Sequence, residues 1–117
     1  MNRRAAAERR GRRAEVIAAW WLRLHGWRIL AQRARVPGGE VDLVARRGRT
    51  LAFVEVKNRK DEHAAGLALD RNRLRRVAVA AERLSARYGQ GCAVIRVDAL
   101  FIVPGRWPRH VPDVWSE

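Results

Sequence analysis

GGEVDLVARRGRTLAFVEVKNR, residues 38 to 59, reads as two strands joined by a short turn. Gly48-Arg49-Thr50 is turn chemistry, and the runs on either side, 40 to 46 and 51 to 57, are rich in strand-forming residues. A connection this short makes the two segments antiparallel neighbours. Side chains alternate along a strand, so Glu55 and Lys57 project to one face while Val54 and Val56 project to the other. Charged groups inside an apolar strand are rarely buried unless they are paired or bind a metal, because an unpartnered charge is costly to desolvate.

The flanking sequence supplies the other elements. Residues 5 to 25 read as a helix, with Ala7, Ala14, Ala18, Trp21 and His25 recurring at steps of three, four or seven and Gly26 as the stop. A first strand is expected over 28 to 35, closed by Pro37-Gly38-Gly39, and a polar, Gly-containing loop over 60 to 66. Leu74, Val77, Ala78, Ala81, Leu84 and Tyr88 then form a helical stripe that Gly89 and Gly91 end. From Ala93 to Val103 the chain is almost continuously apolar, as in a strand covered on both faces. The order α-β-β-β-α-β argues an α/β fold, a mixed sheet flanked by helices.

At 117 residues the chain fits one domain, 1–117, with a basic arm at 1–7 and a proline-containing tail at 104–117 that wraps the surface. Its 25 Lys plus Arg against 12 Asp plus Glu give a formal charge of +13, which attracts polyanions, phosphate backbone foremost. A basic membrane-surface helix is the competing use of such charge. The single Cys92 excludes an internal disulfide and a thiolate zinc site, which makes the cytoplasm the default compartment. Neither a signal peptide nor a membrane-spanning stretch is read, so no membrane partner is expected.

If the hairpin sets Asp42 beside Glu55, the two carboxylates repel, and a hard cation such as Mg²⁺ or Mn²⁺ relieves that repulsion. Such an ion polarises a phosphate oxygen and lowers the pKa of a bound water. Lys57 would add a compact positive charge to position that water or offset charge building on the phosphate. The chain has 23 Arg and only two Lys, at 57 and 60, so Lys57 departs from its habitual choice of cation. An ammonium whose pKa can shift suits a water-activating role, and a guanidinium does not. Arg9, Arg12, Arg13, Arg59, Arg71, Arg73, Arg75 and Arg76 are the candidate grips on DNA, though clusters like these also occur as plain solvated helix faces.

These residues carry a resemblance. Glu55-Val56-Lys57 with Asp42 upstream resembles the PD-(D/E)xK nuclease signature of restriction-endonuclease-like cores. The whole layout is similar to the YraN-like family of uncharacterised bacterial proteins, themselves similar to archaeal-type Holliday junction resolvases. The match spans roughly residues 8 to 103, including GRRAEVIAAWWL, GGEVDLVA, FVEVKNR and IRVDAL. The resemblance implies Glu15 as a first-helix acid near the metal and Asp42, Glu55 and Lys57 as the core site, with the Val56 backbone carbonyl a further metal ligand. Glu40 is a lesser candidate. Where the family usually carries Lys or Gln near the start of the second helix, this chain has Arg73, or by another alignment Arg71 or Asn72.

Beside each of these stands a plainer use. Asp42, Glu55 and Lys57 could form a structural ion pair; Asp98 is expected to pair with Arg96; His25 and His110 lack metal-ligand spacing. Trp21 and Trp27 are expected in the core, and Trp107 and Trp115 could cover an edge strand or meet a second copy. The leading expectation is a divalent-metal-dependent endonuclease acting on structured or branched DNA, with a homodimer as the candidate assembly. A non-catalytic nucleic-acid-binding or accessory protein of the same fold is the alternative, and an interaction protein with incidental charge is the third.

Overall fold

The computed structural model describes residues 3–59 and 70–115. In chain order these form α1 (Arg3–Leu24), β1 (Arg28–Val36), β2 (Gly39–Arg47), β3 (Thr50–Asn58), α2 (Arg71–Tyr88), β4 (Val94–Ile102) and β5 (Arg109–Val111). The five strands make one mixed sheet in the order β1-β2-β3-β4-β5: β1 to β3 are an antiparallel meander, β4 runs parallel to β3, and β5 is antiparallel to β4. The expected α/β architecture and element order are present.

Alternation on the strands divides the core between two faces. Ala52 and Val54 of β3 pack with Ala14, Ala18 and Leu22 of α1, while Leu51 and Phe53 pack with Leu74, Val77 and Ala80 of α2. Glu55 and Lys57 continue the second series and so lie on the α2 face. α1 ends in a Schellman closure: the Trp27 N–H donates to the Leu22 carbonyl at 2.9 Å and the Gly26 N–H to Arg23 at 3.1 Å, with Gly26 at a φ of +88°. α2 lies almost against β2. A Cβ on Gly39 would come within 2.6 Å of the Arg76 carbonyl, so only glycine permits the approach that carries the start of α2 over the strand ends.

Two expectations are corrected. The helix begins at Arg3, so the arm set off at 1–7 is helical from its third residue. The tail contains a strand, β5, which is short and lies at the sheet edge, where a proline-rich segment is tolerated. Trp27 is buried and Trp21 packs half-buried against the same cluster, both as expected. The loop expected over 60 to 66 lies outside the described residues.

Candidate active site

The sheet opens where the acids gather. Strands β2 and β3 pair from Arg47↔Thr50 to Leu43↔Val54. β3 then continues beside β4 as far as Asn58↔Ile102, while β2 stays with β1. At this fork the alternation of β2 breaks: Val41 and Val44 both pack towards α2, and Leu43 and Ala45 towards α1. Asp42 lies in the break, and its Oδ2 accepts the Val56 N–H at 2.7 Å. A carboxylate thus replaces a ladder carbonyl and holds Asp42 against β3 beside Glu55 and Lys57.

Glu55 and Lys57 are 2% and 6% exposed, and Lys57 Nζ lies 3.6 Å from Glu55 Oε1. The same oxygen accepts from Arg73 Nε at 2.8 Å. Arg73, in the first turn of α2, also bonds Glu40 through Nη1 and places Nη2 3.7 Å from Asp42 Oδ1. Glu40 is in turn 3.7 Å from both Arg35 and Arg76. Three carboxylates therefore surround one guanidinium. Glu55 Oε2 is buried and has no hydrogen-bond partner among the described residues, a costly arrangement for a polar atom.

The electrostatics reflect this crowding. Burial raises the Asp42 carboxyl from 3.8 to about 7, the charge of Glu55 adds to the rise, and the Val56 N–H and Arg73 oppose it. Glu15 of α1 lies across a cleft of about 260 Å³, lined also by Arg33, Arg35, Glu40, Asp42 and Arg73. Arg33 holds Glu15 with two bonds of 2.9 Å. It does so from a left-handed backbone, at a φ of +53°.

The orphaned Glu55 oxygen and the raised Asp42 carboxyl are what a hard cation would relieve, so Asp42 and Glu55 fit an ion of the Mg²⁺ type, which takes one or two carboxylates and keeps its waters. Among the described residues no three or more Asp, Glu, His or Cys side chains form a ready metal cluster. Glu15 is occupied by Arg33, and Val56 offers Asp42 its N–H.

Apart from Arg73, the candidate cations do not line this cleft. Arg12 and Arg13 are exposed on α1, and Arg75 is exposed on α2. Arg9 is exposed on α1 as well. Arg71 stacks over Trp115 at 4.8 Å, and Arg59 donates to the Asn58 carbonyl. Arg73, grouped by sequence with the DNA-facing cations, points into the acid cluster. Sequence reading passed over Arg33 and Arg35, whose only signal was alternation with small residues on β1.

Asp98 lies elsewhere, fully buried on β4, and pairs as expected with Arg96 at 2.9 Å. It also accepts from His110 at 2.7 Å and from the Asp113 N–H at 3.0 Å. Burial alone would raise its carboxyl; His110, Asp113 and Arg96 together outweigh burial and lower it.

Residues 14–102 match the model of the uncharacterised protein family UPF0102. A UPF0102 protein of Rhizorhabdus wittichii is 61% identical over 98% of each chain, and one of Sphingopyxis alaskensis is 62% identical over 97% of each. One of Caulobacter vibrioides is 49% identical over 98% of this chain and 93% of the other. Among solved structures, a Holliday junction resolvase from the archaeal hyperthermophile Archaeoglobus fulgidus matches with a TM-score of 0.59 and 21% identity, over 86% of this chain and 73% of that one. The chain therefore has a nuclease-like fold.

Proposed function

We propose that this chain, which belongs to the uncharacterised protein family UPF0102, is a divalent-metal-dependent endonuclease hydrolysing phosphodiesters of structured or branched DNA. One observation carries the reading: at the β2–β3 fork Asp42 is drawn against β3 beside buried Glu55 and Lys57, and one Glu55 oxygen has no hydrogen-bond partner among the described residues. Asp42 and Glu55 would hold Mg²⁺ or Mn²⁺, and Glu15 lines the same cleft as Asp42. When bound, the ion supplies Lewis acidity towards a phosphate oxygen and a water of lowered pKa.

The chain's own groups divide the remaining work. Lys57, buried on one face with Glu55, orients the attacking water or offsets charge on the phosphate. The Val56 N–H fixes the Asp42 carboxylate in one orientation, so little reorganisation is needed. Exposed Arg12, Arg13 and Arg75 belong to a surface of net charge +13 that attracts the DNA backbone. The proposal includes action in the cytoplasm, and a homodimer suits a substrate with two-fold symmetry.

One observation favours a second reading. Arg73 already pairs with Glu55, Glu40 and Asp42, so the cluster is held together by an ion-pair network, as a non-catalytic DNA-binding or accessory protein would need. Incubating linear, nicked, flapped and four-way DNA with Mg²⁺ or Mn²⁺ separates the two. Cleavage of a branched substrate by wild type, absent in Glu55→Ala, is expected of the nuclease. Identical patterns from both proteins would remove it.

A further inference from the structure

We propose that Arg73 is an internal competitor for the divalent cation: its guanidinium holds the acid cluster when no ion is bound and has to swing out before Asp42 and Glu55 can take one. This rests on the metal-dependent reading above and assigns that site its control. The guanidinium contacts both of those acids, at 2.8 Å to Glu55 and 3.7 Å to Asp42, and it also bonds Glu40. An ion held by Asp42 and Glu55 would set a second positive charge against the guanidinium on the same two carboxyl groups, so the two exclude each other.

Three features make this placement more than a structural ion pair. A guanidinium stays protonated at any accessible pH, so unlike a lysine it can vacate the cluster only by moving. Its position is unfavourable for a cation: the first turn of α2 carries no acidic residue, and the positive end of the helix dipole disfavours Arg73 there, so only the three carboxylates keep it inward. Movement is also open to it. The side chain is 33% exposed and borders the cleft of about 260 Å³. α2 is anchored independently of it by the Asp70 cap, which accepts the Asn72 N–H at 2.9 Å. A phosphodiester, which a guanidinium can grip in bidentate fashion, is the natural acceptor for the displaced group.

Mn²⁺ binding to the 117-residue chain without nucleic acid tests this, read by the electron paramagnetic resonance of free Mn²⁺ and by calorimetry, with circular dichroism as the check on folding. Arg73→Gln is expected to bind Mn²⁺ at least about tenfold more tightly than wild type, one decade per ~1.4 kcal/mol. Arg73→Gln combined with Glu55→Gln is expected to lose that gain. If Arg73→Gln binds no more tightly while Glu55→Gln alone weakens wild-type binding, the metal site stands and the competitor does not. If neither wild type nor Arg73→Gln binds Mn²⁺, the metal reading itself fails, and the competitor with it. Should Arg73→Gln not fold, Arg73→Lys decides: tighter binding than wild type supports the competition, and equal binding overturns it.

Discussion

The Asp42 carboxylate accepts the Val56 backbone N–H at 2.7 Å, so one side chain both closes the gap between the diverging strands and lines the candidate site. The two duties separate by substitution. Asp42→Asn keeps an acceptor oxygen and is expected to fold with near wild-type thermal stability below about pH 4, where Asp42 itself is protonated, while metal-dependent cleavage is lost. Asp42→Ala orphans the Val56 N–H and is expected to cost a further ~1–3 kcal/mol in urea unfolding. Equal stability of the two variants would show that the bond contributes nothing.

Stability should also depend on pH through this residue. The Asp42 carboxyl is raised from 3.8 to about 7, first by burial and then by Glu55. A carboxyl whose folded pKa exceeds its unfolded one contributes stability that is fully present below the unfolded value and lost as pH rises through the folded one. The melting temperature is therefore expected to carry a component that declines from pH 3.8 to about pH 7, and Asp42→Asn should remove it. Melts of both proteins across that range check this, and parallel curves would contradict it.

DNA binding should be electrostatic and weaken steeply with salt. Arg12→Gln and Arg75→Gln remove exposed charges on α1 and α2, and each is expected to reduce the slope of log K against log salt by about 1. Fluorescence anisotropy with a labelled duplex between low and moderate salt measures it. A flat salt response in wild type would instead favour an interaction protein with incidental charge.

The Asp98 cluster is expected to matter for folding alone. Asp98→Ala leaves Arg96, His110 and the Asp113 N–H without their shared acceptor, and breaking such a buried arrangement costs ~3–5 kcal/mol. Cleavage per folded molecule is expected to be unchanged. A specific loss of cleavage at full stability would place Asp98 in the chemistry.

How much of this was legible follows from the range of each interaction. The Glu55–Lys57 face was readable because a two-residue period along one strand sets it, and Asp98 with Arg96 was readable for the same reason. Asp42 could be placed on the neighbouring strand but not oriented, since β2 breaks its alternation there. The contacts of Arg73 with Glu55, Glu40 and Asp42 join residues 18 to 33 positions apart and depend on how closely α2 rides over Gly39, which no local pattern encodes. Arg33 was hidden by its left-handed backbone, a conformation its residue type does not announce. Strand β5 was hidden by flanking prolines that fit an edge strand as well as a loop.

The most direct measurement compares wild type with Lys57→Met on a labelled four-way DNA junction, scoring binding by mobility shift and cleavage after adding Mn²⁺. Removal of this buried ammonium is expected to leave the shift intact and to slow cleavage by ~10²-fold or more. Equal cleavage rates, or tight binding by wild type with no strand scission at any metal concentration, would contradict catalysis at this cluster.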